Sequence, residues 1–211
     1  QSLLNNSFNP VHPGSLAHLD PPPLIFSILG DLIAAGLNNN LLAYDLSPSV
    51  TLLEDSLCKW FAKKIGFNDS SGGIAASGGT LSNLNALIAA RHNAGLGSDP
   101  NSVLLVSEDA HSSFIKCTRI MGLDEANLVR IKTNNNGCID IQNLKMTLDK
   151  CSIDNKKIFA IVATLGTTIR GAIDPIKDIS EICKERNIWL HIDGSIGGIF
   201  AITSFPTEHL N

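Results

Sequence analysis

The feature that most constrains the fold is an alternation, over the last two thirds of the chain, of short apolar runs with amphipathic segments. β-Branched runs between amphipathic segments of about ten residues are typical of βαβ units, whose parallel strands are covered by helices on both faces. The predicted strands are Ile74–Ala76, Val103–Ser107, Leu128–Lys132, Ile158–Thr164 and Ile188–Ile192. The predicted helices are Thr80–Asn93, Ser112–Met121, Ile141–Lys150 and Pro175–Glu185. We therefore predict an α/β fold with a mostly parallel sheet flanked by helices.

The N-terminal third follows a different pattern. Residues 1–22 are proline-rich and lack a sustained period, which predicts an extended arm. Helical spacing predicts one helix over Pro23–Leu37 and a second over Pro48–Ile65, with Gly66 ending the second. One face of the second helix is apolar and is formed by Leu53, Leu57, Trp60, Phe61 and Ile65.

Charge and composition exclude several function classes. Sixteen basic and twenty acidic side chains give a net charge of −4 without a basic block, which argues against nucleic-acid and membrane-surface binding. Residues 1–20 have no apolar signal-peptide core, and no apolar run is long enough to span a membrane. The five cysteines show no C-x-x-C spacing, so a disulfide framework or a zinc site is not expected. These features predict a cytoplasmic protein without a bound metal.

The segment ASGGTLSNLNAL, residues 76–87, has the composition of an anion-binding loop. Gly78 and Gly79 allow close approach of the backbone, and Thr80 opens a helix whose free N–H groups favour a phosphate. A glycine turn followed by a threonine cap explains the same residues equally simply. The fingerprints of P-loop and dinucleotide-binding sites are missing from this segment.

Polar side chains also follow the predicted strands, where ligands of open α/β sheets bind. His111 lies on a loop after a strand, where an imidazole stacks on a planar ring, relays a proton or caps the next helix. The predicted strand Ile158–Thr164 ends in a cluster of hydroxyl groups, those of Thr164, Thr167 and Thr168, which are expected to face the same edge. Asp174 precedes a proline and is predicted to cap the last helix.

Asp193 follows the last predicted strand, which places a carboxylate at a buried strand end. A buried charge requires a partner, and a cationic ring nitrogen, an arginine or a backbone cap would each serve. Gly194, Gly197 and Gly198 leave room for a ligand beside it. A phosphate loop, a stacking imidazole, hydroxyl groups and a buried acid at one edge together match pyridoxal 5′-phosphate.

The sequence resembles the group II pyridoxal-phosphate-dependent amino-acid decarboxylases, which include glutamate, aromatic-amino-acid, cysteine-sulfinate and diaminobutyrate decarboxylases. The motifs that carry the resemblance keep their order from about residue 12 to the end. They are HPGSLAHLDPPP (12–23), LSPSVTLLE (46–54), ASGGTLSNLNAL (76–87), DAHSS (109–113), ATLGTTIRGAIDPI (163–176) and WLHID (189–193). The resemblance implies the large domain of the aspartate-aminotransferase-like fold, called fold type I.

The resemblance also implies how the cofactor is held. Gly79 and Thr80 would bind the phosphate, with Gly78 shaping the turn. Thr168 would lie near the phenolic oxygen and the Schiff base. Asp193 would pair with the pyridine nitrogen N1 and act in catalysis by keeping the ring cationic.

Further residues take roles from the same resemblance. His111 would stack on the pyridine ring and assist protonation, which makes it the second catalytic residue. Ser195 stands where the family has a small residue packed against the ring. His18 and Leu19 would line the substrate cleft. The sequence leaves acidic, aromatic and diamino L-amino acids open as substrates.

Two departures from the family pattern bear on activity. Gly194, Ser195 and Ile196 follow the acid where the family usually has Ala-Ala or alanine and an aromatic residue. The family's Schiff-base lysine, in an H-x-x-K motif, has no counterpart among the eleven lysines of this chain. We therefore expect part of a longer homodimeric enzyme, inactive alone, with an arm and helix (1–47) that wrap the dimer partner and a truncated cofactor-binding large domain (48–211).

Three alternatives remain open from the sequence. An aminotransferase or another lyase of fold type I would share the fold and the cofactor but give different products. A non-catalytic remnant would bind phosphate compounds or only dimerise. A nucleotide-binding α/β domain is disfavoured because its loop fingerprints are missing.

Overall fold

The computed structural model describes residues 1–16 and 21–203, so the predicted substrate residues His18 and Leu19 lie outside the described residues. The chain divides into two compact units, Gln1–Glu54 and Asp55–Asn211. The domain boundary between residues 47 and 48, which separates the arm and helix from the cofactor-binding domain, remains a prediction. No helix in the described ranges is long and apolar enough to cross a membrane.

The first unit contains short and long helices. The helix α1 is Ser2–Asn5, α2 is Ile25–Leu37, and α3, Pro48–Ile65, begins in this unit. The prediction of an extended arm was wrong at Ser2–Asn5, where the backbone closes one helical turn through the bond from Asn5 N–H to Gln1 O. The two longer helices agree with the predicted ones, and α2 has no buried residue.

The second unit is built around a parallel four-stranded sheet with the order β2-β1-β3-β4. Its strands are β1 (Ser102–Ser107), β2 (Leu128–Ile131), β3 (Lys157–Thr164) and β4 (Trp189–Asp193). Its helices are the end of α3 with α4 (Gly79–Asn93), α5 (Ser113–Ile120), α6 (Ile141–Ile153) and α7 (Ile176–Arg186). The predicted α/β fold with a parallel sheet is confirmed, together with four of the five predicted strands.

The fifth predicted strand, Ile74–Ala76, was wrong. This segment has no regular secondary structure, and Ile74 is 68% exposed. Three apolar residues after Gly72 and Gly73 form a run shorter than the usual strand of about five or six residues.

The central strands β1 and β3 are buried on both faces of the sheet, which explains why their interiors are continuously apolar. One apolar cluster joins the sheet to α4 and α5 and includes Leu87 and Phe114, both at most 1% exposed. A second cluster on the opposite face joins it to α6 and α7 and includes Leu144 and Ile179. All six residues of β1 are buried.

The predicted role of Asp174 as a helix cap was wrong. The helix α7 has Pro175 as its N-cap and receives no side-chain cap. The Asp174 carboxylate, 2% exposed, instead accepts hydrogen bonds from the backbone N–H groups of Ile139 and Thr164, both at 2.7 Å. Burial raises the pKa of this carboxyl, while the two backbone hydrogen bonds oppose that shift. Asp174 thus fixes the end of β3 to the loop before α6.

Candidate functional site

A cavity of about 520 Å³ opens where the N-terminus of α4 meets the carboxyl end of β4. Its volume lies within the range of small-molecule sites, roughly 300–1,000 Å³. The residues of the cavity that matter for binding are Gly78, Gly79, Asn83, His191, Asp193 and Ser195.

The α4 end of the cavity is formed by backbone. Gly78 is the N-cap residue of α4, and its carbonyl accepts the N–H groups of Leu81 and Ser82. The preceding amides, those of Gly79 and Thr80, have no acceptor within the helix, and the positive end of the helix dipole lies here. A Cβ added to Gly78 would meet none of the described residues within 4 Å, so space for a ligand faces this backbone. Such an end of a helix suits an anionic group.

The carboxyl end of β4 contributes a buried acid to the cavity. Asp193 is the last residue of β4 and is 6% exposed. Its Oδ1 accepts the Ser195 hydroxyl at 2.7 Å and the Ser195 backbone N–H at 3.2 Å, and its Oδ2 accepts Asn83 Nδ2 at 3.2 Å. All of these donors are neutral, and Oδ2 retains capacity for a further hydrogen bond. The carboxylate therefore suits a protonated nitrogen on a ligand in the cavity.

Asn83 and His191 complete this part of the cavity, and neither was singled out from the sequence. Asn83 is 5% exposed, and its Oδ1 lies 2.9 Å from His191 Nε2. Burial lowers the pKa of His191, and the negative charge of Asp193 partly opposes that shift. Two spacings could have found the pair: His191 lies two residues before Asp193 on one strand, and Asn83 lies four residues after Gly79 on one helix.

Four other residues singled out from the sequence lie at the same sheet edge but do not line this cavity: His111, Thr164, Thr167 and Thr168. His111 is exposed on the loop after β1, and its Nδ1 accepts the Ser113 N–H at 3.2 Å, as a helix-capping residue would. Thr168 is exposed on the turn after β3. The Thr167 hydroxyl is used within that turn, where it accepts the Ala172 N–H at 3.1 Å. Among the described residues, Thr164 Oγ1 is buried and has no hydrogen-bond partner.

The structure thus brings Gly78, Gly79, Asp193 and Ser195 to one cavity, with Thr80 in the adjoining first turn of α4. A donor-rich helix terminus and a buried carboxylate in one cavity fit a compact molecule with an anionic group and a protonated ring nitrogen. The residues present are consistent with the pyridoxal 5′-phosphate predicted from the sequence.

Comparison with known proteins supports the same conclusion. The family model described as the pyridoxal-dependent decarboxylase conserved domain matches residues 12–208. The chain is 31% identical to an L-2,4-diaminobutyrate decarboxylase of Acinetobacter baumannii over 96% of its own length and 44% of the relative. It is 32% identical to an aromatic-L-amino-acid decarboxylase of Bacillus atrophaeus over 92% of its own length and 42% of the relative.

Solved structures give the same result. The crystal structure of the glutamate decarboxylase domain of a diaminobutyrate-pyruvate transaminase and L-2,4-diaminobutyrate decarboxylase from Vibrio parahaemolyticus matches with a TM-score of 0.93 and 28% identity. The match covers 99% of this chain and 48% of that one. Catharanthus roseus tryptophan decarboxylase in complex with L-tryptophan matches with a TM-score of 0.81 and 28% identity, over 87% of this chain and 42% of that one. The chain spans less than half the length of these relatives.

Proposed function

The chain belongs to the pyridoxal-dependent decarboxylase family, and on that basis we propose that it forms part of a carboxy-lyase that removes the α-carboxyl group of an L-amino acid with pyridoxal 5′-phosphate. The observation that carries the proposal is that the buried Asp193 carboxylate and the N-terminus of α4 line the same cavity. Pyridoxal 5′-phosphate carries both complementary groups, an anionic phosphate and a ring nitrogen that can hold a proton.

The residues of this chain would act by holding the cofactor and its charges. The amides of Gly79 and Thr80 would bind the phosphate, with Gly78 leaving space for it. Asp193 would hold a proton on the ring nitrogen, because a neighbouring carboxylate raises the pKa of that nitrogen. When bound, the cofactor supplies a cationic ring that accepts the electron pair left at Cα when CO₂ departs.

The remaining site residues take proposed roles around the ring. Ser195 would pack beside it, since it lines the cavity and its hydroxyl orients Asp193. His111 would stack on the ring and assist protonation, and Thr168 would approach the phenolic oxygen; both lie on loops that follow sheet strands at this edge. His18 and Leu19 remain predicted substrate residues.

We further propose a homodimer in which 1–47 wraps a second copy. The support is α2, whose large apolar side chains are exposed: Phe26 is 86%, Ile25 75% and Leu32 67% exposed. Apolar surface of this extent is typical of a protein interface. A Phe26→Glu substitution should shift the sedimentation-derived mass from dimer to monomer, whereas Asp31→Glu should not.

We propose a cytoplasmic location for the protein. All five cysteines lie in the described part of the chain, and all are free thiols. Reduced cysteines are typical of reducing compartments.

Product analysis tests the proposed reaction. Carboxyl-labelled L-amino acids of acidic, aromatic and diamino types are supplied, with pyridoxal 5′-phosphate, to the protein that contains this chain. Labelled CO₂ and an equal amount of the amine from one of them would support the proposal. A keto acid would indicate an aminotransferase instead. Neither product, together with no binding of the cofactor, would indicate a non-catalytic protein.

A further inference from the structure

We infer that Asn83 is a positioning residue that joins His191 to Asp193 and keeps the Asp193 carboxylate directed at the ring nitrogen of a bound pyridine. The inference rests on the proposed cofactor site, which it deepens by assigning roles to two residues that do not hold the phosphate.

The orientation of the Asn83 amide follows from its neighbours. An ionised carboxylate only accepts hydrogen bonds, so the nitrogen end of the amide faces Asp193 Oδ2, 3.2 Å away. The oxygen end then faces His191 Nε2 at 2.9 Å and requires a proton on that nitrogen. The same amide therefore selects the Nε2–H tautomer of His191 and donates to the carboxylate.

The contacts around the pair hold it in place. Phe114 meets the His191 ring edge to face, with 6.2 Å between centroids and 77° between planes. Ser113 Oγ lies 3.5 Å from Asn83 Nδ2. Ser195 supplies both donors to Asp193 Oδ1, whereas the hydrogen bond to Oδ2 comes from Asn83. Loss of Asn83 therefore removes this hydrogen bond and allows the Asp193 carboxylate to rotate.

The position of Asn83 on α4 also couples the two ends of the cavity. Gly79 and Asn83 are four residues apart and so share one face of the helix. One rigid helix thus presents the phosphate-binding amides and the donor that orients the acid. A ligand that binds both ends would meet a fixed distance between them.

Paired ligands distinguish a positioning role from a general structural one. The first probe is pyridoxamine 5′-phosphate, which has no aldehyde to react with surface lysines. The second is its 1-deaza analogue, in which a carbon replaces the ring nitrogen. Calorimetric dissociation constants for both are measured with the 211-residue chain and its variants.

We expect the wild-type chain to prefer the nitrogen ligand, and Asn83→Leu to reduce that preference about tenfold while leaving the affinity for the deaza analogue nearly unchanged. Ser82→Ala, on the neighbouring cavity residue, should keep the wild-type preference. An unchanged preference in Asn83→Leu, or an equal loss of affinity for both ligands, would overturn the inference about Asn83 and leave the proposed function standing. Absence of binding of either ligand to the wild-type chain would overturn the proposed function and this inference with it.

A second pair of variants keeps the test decisive if Asn83→Leu does not fold. His191→Gln retains a side-chain N–H toward Asn83 and should preserve the preference for the nitrogen ligand. His191→Phe removes the donor and should lower it. Identical preferences in the two variants would overturn the inference.

Discussion

Gly79 and Ser195 approach so closely that a Cβ added to Gly79 would lie 2.8 Å from Ser195 Oγ. That hydroxyl also donates to Asp193 Oδ1, so the absence of a side chain at residue 79 and the orientation of the acid are linked. The glycine in the first turn of α4 therefore serves the arrangement of the site as well as the backbone of the loop.

Gly79→Ala should destabilise the chain by about 1 kcal/mol, because the Ser195 hydroxyl must leave its hydrogen bond with Asp193. In the Ser195→Ala background the same change should be neutral or stabilising by up to about 1 kcal/mol, because alanine reduces the entropy of the unfolded chain. Urea unfolding of the four chains measures this coupling. Gly78→Ala is the control, since its Cβ would meet nothing within 4 Å. Equal costs of Gly79→Ala in both backgrounds would contradict the linkage.

Asp174→Asn should lower the free energy of unfolding by about 2 kcal/mol, because one of two buried backbone N–H groups would then face an amide nitrogen. Asp140→Asn is the matched control, because Asp140 caps α6 through the Asn143 N–H and asparagine caps helices equally well. Denaturant unfolding of both variants measures the two changes in the free energy of unfolding. A near-neutral Asp174→Asn would contradict a stabilising role for the two buried backbone hydrogen bonds.

His191 should make the fold less stable in mild acid. Its pKa is lowered in the folded chain, mainly by burial, so below the unfolded value of about 6.5 the unfolded chain binds a proton that the folded chain does not. Stability should therefore fall as the pH drops through this window, by at most about 1.4 kcal/mol per pH unit from this group. His191→Phe should flatten the dependence between pH 7.5 and 5.5, while His92→Gln, at an exposed residue, should retain it. A wild-type slope in His191→Phe would show that other groups cause the acid sensitivity.

The fold was largely predictable because its signals are local. The strands β1 and β3 are continuously apolar, and α7 carries Ile179 and Ile182 at helical spacing, so period and burial agree. The strand prediction for Ile74–Ala76 was wrong because a short apolar run does not reveal whether a neighbouring strand pairs with it. The predicted role of Asp174 was wrong because an Asp-Pro pattern is typical of a helix cap. Only the tertiary structure brings the two backbone N–H groups to its carboxylate.

Some residues of the cavity could be singled out from the sequence, whereas others are recognisable only from their contacts in the structure. Gly78, Gly79 and Asp193 are conspicuous in the sequence because a glycine pair before a helix and an acid at a buried strand end are each a recognisable pattern. Asn83 lies within a helix, where a polar residue ordinarily faces solvent, and its partners Asp193 and His191 are more than 100 residues away. Its role therefore depends on how α4 packs over β4.

The central claim is that the cavity between α4 and Asp193 holds a phosphorylated pyridine, and titration of Asp193→Asn with pyridoxamine 5′-phosphate tests it most directly. Calorimetry should show binding to the wild-type chain and binding at least about tenfold weaker to the variant, because a charge-assisted hydrogen bond to the ring nitrogen is lost. Asp154→Asn, an exposed change at the end of α6, should bind like the wild type. No binding to the wild-type chain, or equal binding to Asp193→Asn, would contradict the claim.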